Sequence, residues 1–351
     1  TALSFRLDGQ FLSNSDFNLM PYAVYLVMGA EFRGFHVRFD DVSRGGIRLI
    51  RSRDKQVWQR NSETLFNENY NLAWTQQKKN KDIPEGGSKG TILLGVDHQQ
   101  KGEIAFHKYI DALLDLLLCK DDSTVVDYLN AEEILFCGPD EGTADFMDWA
   151  AEHSRGRGYR YWSSFTTGKS PTLGGIPHDV YGMTTRSVHQ YVLGVMRKLG
   201  IEEKNVTKMQ TGGPDGDLGS NEIKISHDKT VAVVDGSGVL YDPAGIDRTE
   251  LRRLAEARKM TVHFDKSKLT PQGFFVSVED QNITLPNGRL VESGLAFRND
   301  FHLDDLATTE FFVPCGGRPE AVNISNVHRL LDANGKPKFK YVIEGANLFM
   351  T

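Results

Sequence analysis

Apolar positions recur along this chain with two periods, two in short runs and three to four in longer ones. Phe35, Val37 and Phe39 alternate with other residues and predict a strand running into a turn around residues 43–46. Ile92, Leu93 and Leu94 predict a second strand after Gly90, and the polar stretch between the two has helical spacing. Over residues 105–118, Ile110, Leu113, Leu114 and Leu117 share one helical face, which fits a helix packed on a sheet. Residues 186–199 repeat that signal. There Val188, Tyr191, Val192, Val195 and Leu199 face one way, and Gly200 is placed to end the helix.

The second half then runs strand (206–210), glycine-rich turn, helix from about Leu218, and a short apolar strand (231–234) ending at Asp235. That order is the first βαβ unit of a dinucleotide-binding fold. A helix is expected over 250–259. Residues 274–278 and the Pro286-Asn287-Gly288 turn suggest a hairpin-like excursion inserted in a parallel sheet. The last strand, 341–343, runs straight into Glu344, Gly345, Ala346 and Asn347, where a doubly wound sheet normally continues, so a chain cut short is expected. The predicted fold is α/β in two domains. A mixed-sheet substrate-binding domain (1–185) precedes a Rossmann-like doubly wound nucleotide-binding domain (186–351), incomplete at its C-terminal end and carrying an insertion around 262–312.

A length of 351 residues exceeds one ordinary hydrophobic core, in keeping with two domains. With 39% hydrophobic and 25% charged residues the chain has the composition of a globular protein, not of a disordered one. A net charge of −6 supplies no basic field for a nucleic-acid backbone. No apolar run approaches the ~20 residues needed to cross a bilayer, residues 1–30 lack the charged and apolar regions of a signal peptide, and the start reads as the middle of a longer protein. Cys119, Cys137 and Cys315 lie far apart and form no paired motif, and the ten histidines lack metal-ligand spacing, so no metal is expected.

The candidate chemistry sits on glycine-rich segments. Pro84-Glu85-Gly86-Gly87-Ser88-Lys89-Gly90 sets an amine among residues with little or no side chain. Small neighbours let backbone and substrate approach, and an amine partly withdrawn from water gives up its proton more readily, as acid/base work requires. Lys89 is therefore a catalytic candidate. Arg44-Gly45-Gly46-Ile47-Arg48 follows the first strand, and the Arg44 fork suits a carboxylate. The cluster Lys78, Lys79 and Lys81 offers a second cationic anchor. Asp140, in Cys137-Gly138-Pro139-Asp140-Glu141-Gly142-Thr143, stands at a strand end, where α/β enzymes keep reactive groups. Between strand and helix, Gly213, Gly216 and Gly219 form a phosphate-cradling turn of unorthodox spacing. Asp235 stands at the distance expected of an acid that accepts from an adenine ribose, which favours NAD over NADP.

Taken in order, these segments resemble the glutamate dehydrogenase family, and specifically its large NAD-dependent class as found in fungi. The resemblance covers essentially the whole chain. It extends to Thr167-Gly168-Lys169, Leu173-Gly174-Gly175, Met183-Thr184-Thr185-Arg186, the run from Tyr241 to Asp247, and Glu344-Gly345-Ala346-Asn347. It implies that Lys89 activates water and that Asp140 shuttles protons. It also implies that Arg44 and either Lys78 or Lys79 hold the two carboxylates of L-glutamate, the Lys79-Asn80 pair favouring Lys79. Thr184 would neighbour the nicotinamide amide and Asn347 the cofactor ribose. The implied activity is NAD-dependent oxidative deamination of L-glutamate to 2-oxoglutarate and ammonia by a homo-oligomer in the cytoplasm or the mitochondrion. The rivals are a dehydrogenase of another amino acid and a nucleotide-binding fragment without catalysis.

Overall fold

Four strands open the chain: β1 (Ala2–Leu7), β2 (Ala23–Gly29), β3 (Phe32–Arg38) and β4 (Val42–Ile50). Helix α1 (Lys55–Gln77) follows, started by Asp54, whose carboxylate accepts from the Val57 amide at 2.8 Å. Then come β5 (Gly86–Leu94), α2 (Gly102–Leu117), β6 (Ile134–Pro139), α3 (Met147–Gly156) and the single turn α4 (Trp162–Phe165). The computed structural model describes residues 1–12, 17, 19–81, 83–119, 130–318, 320–346 and 349–351. By their contacts they divide into two units, Thr1–Pro177 and His178–Thr351.

In the first unit the strands form one mixed sheet in the order β1-β2-β3-β5-β4-β6. The pairs from β1 to β5 are antiparallel, and β5-β4 and β4-β6 are parallel. Helix α2 covers one face with Phe106, Tyr109, Ile110, Leu113 and Leu114, packed against Tyr25, Val27, Ile92 and Leu94. Helix α1 covers the other, with Leu65 against Leu93, and Tyr70 and Ala73 against Val37. Two sequence expectations change here. Residues 43–46 lie within β4, not in a turn. The run Gly86-Gly87-Ser88-Lys89-Gly90 does not precede the second strand but forms the first half of it, β5, every residue of which is buried. Glycine is needed there because α1 lies directly on the strand: a Cβ at Gly87 would come within 2.2 Å of the Gln77 amide nitrogen.

The second unit begins with α5 (Met183–Leu199), ended by Gly200 in the left-handed conformation at φ 66°. Then follow β7 (Thr207–Thr211), α6 (Asp217–Ile225), β8 (Lys229–Val234), β9 (Gly238–Tyr241) and α7 (Arg248–Glu256). The chain continues through β10 (Phe274–Ser277), β11 (Gln281–Thr284), β12 (Leu290–Ser293), α8 (Gly294–Asp300), β13 (Thr309–Pro314) and β14 (Phe339–Val342). The main sheet runs β10-β9-β8-β7-β13-β14. Its four strands β8, β7, β13 and β14 are parallel, whereas β9 and β10 add an antiparallel edge. The Pro286-Asn287-Gly288 turn joins β11 to β12 in a separate two-stranded sheet. Strand β9 was not foreseen, because the turn at Asp235–Gly238 reverses the chain beside β8 at once, the Asp235 amide donating to the Gly238 carbonyl at 3.1 Å.

Helix α5 buries a different face from the one its apolar residues suggest. Thr185, His189, Val192 and Met196 point inward, while Tyr191 is 70% exposed and Leu199 43%. The polar members of that inner face have partners on α6: Thr185 donates to the Leu218 carbonyl, and His189 Nδ1 lies 3.2 Å from the Glu222 carboxylate. Glu222 in turn meets the Lys208 amine of β7 at 3.0 Å, and that amine also reaches Asp228 at 2.7 Å and Ser226. A buried charge network therefore pins α5, β7 and α6 together.

Candidate active site

Lys89 and Asp140 meet. The Lys89 amine, on a residue 6% exposed, donates to Asp140 Oδ2 and forms an ion pair with it. The sheet order dictates this encounter. Strand β4 lies between β5 and β6, and the pairings Arg44↔Gly87 and Ile47↔Gly90 bracket Gly46 beside Lys89. On the other side Gly46 pairs with Gly138, two residues before Asp140. A lysine reaching from one outer strand of the three and an aspartate folding back from the other can touch only if nothing projects from the middle strand. A Cβ at Gly46 would stand 2.8 Å from Asp140 Oδ2, and one at Gly45 would stand 1.6 Å from the Ser88 carbonyl oxygen. The paired glycines after Arg44 are thus a gap through which amine and carboxylate join.

The loop bearing Asp140 is held from several sides. The Asp140 amide donates to Thr143 Oγ1 at 2.9 Å, and that hydroxyl donates on to the Ile47 carbonyl at 2.8 Å. Asp140 Oδ1 accepts from the Glu141 amide at 2.8 Å. Arg48 clamps the next residue, its Nε 2.9 Å from Glu141 Oε2 and its Nη1 on Glu68 of α1. On the lysine side, buried Asn69 of α1 donates to the Lys89 carbonyl at 3.0 Å and to Thr91 Oγ1 at 3.0 Å. Glu68, Asn69, Glu141 and Thr143 were not singled out from sequence. The only hint was their position, one turn of α1 and the residues just after Asp140.

The cationic residues separate into different roles. Arg44 stands at the start of β4 with its side chain 45% exposed, and its Nε meets Glu85, itself 2% exposed, at 2.8 Å. Its Nη edge has no partner among the described residues. Lys81 is turned toward the same place, its amine 2.9 Å from the Gly86 carbonyl and 3.7 Å from Glu85. Burial pushes the Lys81 amine below its ordinary pKa, against the pull of Glu85. Lys78 lies over the Trp74 ring at 4.2 Å, and Lys79 is exposed. Glu85, the acid that orients Arg44, was legible only as a neighbour of the lysine motif. Beside β6, Lys169 is buried and donates to the Thr166 carbonyl at 2.6 Å, closing the loop whose Thr167 amide donates to Cys137.

In the second unit, the glycine-rich turn leaves β7 and enters α6. Gly212 adopts φ 84°, a conformation open to glycine. A Cβ at Gly219 would be 2.4 Å from the Gly212 carbonyl oxygen, and one at Gly213 would be 2.5 Å from Asp235 Cβ, so both positions exist for close helix-to-strand packing. At Gly216 the nearest atom would be 3.6 Å away. Asp235, just past β8, is 3% exposed and accepts from the Ser237 amide and hydroxyl and from the Thr261 amide at 2.6–2.8 Å. Asp215 lies near it, its pKa raised by burial and by the Asp235 charge. Thr184 is exposed in the first turn of α5. Asn347 lies outside the described residues. Among the described residues no cluster of three potential ligands could hold a metal ion, and no helix is long and apolar enough to cross a membrane.

The second unit thus contains a parallel βαβ unit entered through a glycine turn, on a chain that also brings a buried lysine to an aspartate. The family model for glutamate/leucine/phenylalanine/valine dehydrogenases matches residues 174–351. The chain belongs to that family. Within it, glutamate dehydrogenase 2 of Dictyostelium discoideum is 63% identical over 351 residues, 100% of this chain and 34% of that protein. The NAD-specific glutamate dehydrogenase of Neurospora crassa is 56% identical, again over 100% of this chain and 34% of its own length. The chain therefore spans about a third of these curated relatives. Among solved structures, the leucine-bound hetero-hexameric glutamate dehydrogenase of Thermus thermophilus shares the fold of this family member, with a TM-score of 0.58 at 19% identity over 99% of this chain and 68% of that one.

Proposed function

We propose that this chain carries the catalytic residues of an NAD-dependent glutamate dehydrogenase, which oxidatively deaminates L-glutamate to 2-oxoglutarate and ammonia. The observation that carries the reading is the Lys89–Asp140 pair, set in a buried strand of a chain that belongs to an amino-acid dehydrogenase family. The names of the relatives from Dictyostelium and Neurospora support glutamate and NAD. So does the Nη edge of Arg44, unengaged among the described residues, whose parallel N–H groups suit a carboxylate. Lys79 would take the other carboxylate, and Lys81, close to the Arg44–Glu85 pair, strengthens the positive field there.

The nucleotide suits the second unit. The turn from Gly212 to Gly219 has no side chain at its four glycines, where β7 meets α6, which suits a phosphate-bearing ligand, and Asp235 and Asp215 would oppose the additional phosphate of NADP. NAD, when bound, supplies the hydride acceptor. Lys89 draws a proton from the attacking water and steadies negative charge on its oxygen, and Asp140 passes a proton to and from the amino nitrogen.

The test is absorbance at the reduced-cofactor band with NAD and, in turn, glutamate, leucine, phenylalanine and valine. Turnover with glutamate alone is expected. Faster turnover with an apolar substrate would reassign Arg44, and the absence of turnover with all four would leave a nucleotide-binding module. Gly46→Ala provides a sharper check of the geometry, because its methyl group would displace Asp140 from Lys89. Expected is a fall in kcat of roughly 100-fold with KM for glutamate nearly unchanged, since misplacement of about 1 Å costs that much.

A further inference from the structure

The four parallel strands of the second sheet leave β7 in opposite directions, to β8 on one side and to β13 on the other, so the chain reverses its order between β7 and β13. Ligands of open α/β sheets bind beyond the strand carboxyl ends at such a reversal. A small recess of about 20 Å3, open to solvent, lies there, lined by Thr211 at the end of β7, Val234 at the end of β8, and Gly317 and Arg318 just past β13. Arg298 and Asn299 of α8 line it as well.

Its polar groups suit an anion. Thr211 is 5% exposed, yet its hydroxyl has no hydrogen-bond partner among the described residues. Arg298 spends its Nε on the Asp235 carbonyl at 2.7 Å and its Nη1 on Asn299 at 3.1 Å, which leaves Nη2 unengaged among the described residues. Arg318 pairs with none of the described residues and lies close enough to Arg298 to depress its pKa, an effect in which burial of Arg298 is the larger part. His302, which also lines the void, is held toward its neutral form by burial. The Asp235 charge offsets part of the repulsion between the two guanidiniums, and an anion joining them would relieve the rest.

The opposite wall of the nucleotide site explains why such an anchor is needed. A helix N-terminus attracts phosphate through its free N–H groups and its dipole. At α6, however, the turn carries Asp215 and the first helical turn Asp217, with Asp179 and Asp235 nearby, and among the described residues only Arg258 pairs with Asp179 and Asp217. Those carboxylates offset the attraction of the helix, so the cation for a pyrophosphate must come from elsewhere.

We propose that Arg298, Arg318 and the Thr211 hydroxyl form the phosphate anchor of the dinucleotide in this chain. The assignment rests on the reading of the second unit as a nucleotide site and adds residues outside the glycine turn. Calorimetric titration of the full chain with ADP-ribose, and separately with inorganic phosphate, tests it. Arg318→Gln, at an exposed position whose loss should not disturb folding, is expected to weaken ADP-ribose binding about tenfold or more, with Arg318→Lys recovering part of it and the thermal midpoint unchanged. Arg298→Gln should act in the same direction. Unchanged ADP-ribose affinity in both glutamine variants overturns the anchor. So does inorganic phosphate that binds through Arg318 without competing with ADP-ribose, since the void would then be a separate oxyanion site. A wild-type chain that does not bind ADP-ribose at all overturns the nucleotide reading itself, an outcome distinct from unaltered binding in the variants.

Discussion

Lys89→Ala should lower kcat for glutamate at least about a thousandfold, the upper part of the range for removing a general base that also steadies charge. NAD affinity should stay within about twofold, because the residues proposed to hold the cofactor belong to the other unit. Asp140→Asn, which preserves shape, should cost a similar factor. The double variant should be little worse than either single one, since the two groups act as a pair and their losses do not add. Steady-state rates with NAD and glutamate, together with NAD titration of each variant, measure all three effects. Turnover of Lys89→Ala within tenfold of wild type would remove the lysine from the mechanism.

Replacing Lys208 by Met should lower the stability of the second unit by about 3–5 kcal/mol, or roughly 10 °C in thermal midpoint, the usual penalty for leaving one member of a buried ion pair alone. The amine is 1% exposed and serves two buried carboxylates, Glu222 and Asp228. Without it both remain desolvated with weaker partners, His189 for Glu222 and Arg248 at 3.7 Å for Asp228. The pH dependence should follow. Burial alone would raise the Glu222 pKa, but Lys208 and His189 outweigh it and hold the carboxyl at about 2, below its ordinary 4.5. A depressed carboxyl stabilises the fold above its unfolded pKa, so this contribution is intact at neutral pH and is lost as the pH falls from 4.5 toward 2. His189 has the opposite sign. Burial lowers its pKa, the Glu222 hydrogen bond and charge raise it further, and the net increase means that its stabilisation is full below 6.5 and fades as the pH rises through the folded value. In Lys208→Met, acid unfolding monitored by circular dichroism should begin at higher pH than in wild type. An unchanged midpoint at neutral pH would mean that the network contributes no net stability.

Much of the fold is legible from local pattern. Periodic apolar positions locate α2, and strand, glycine turn, helix and strand appear in order from Thr207 to Val234. Local pattern fails where tertiary packing inverts its usual meaning. A run of glycines reads as a turn because glycine is free to bend. In β5 the same residues form a buried strand, because α1 and α2 press on it from both sides and leave no room for side chains. Helix α5 presents its polar Thr185 and His189 inward because α6 supplies their hydrogen-bond partners, which no count of apolar residues can foresee.

The sequence by itself determined which groups are present: one amine amid small residues, one carboxylate after a short apolar strand, an arginine before two glycines, and an acid beyond the second strand of a βαβ unit. Those follow from residue types and spacing, since such features depend on near neighbours in the chain. Only the tertiary structure decided that Lys89 and Asp140, 51 positions apart, form one pair. Their meeting depends on β4 lying between β5 and β6 and on Gly46 leaving the space above it empty. Strand order is set by the long-range burial of both sheet faces, a quantity that no local window of sequence contains.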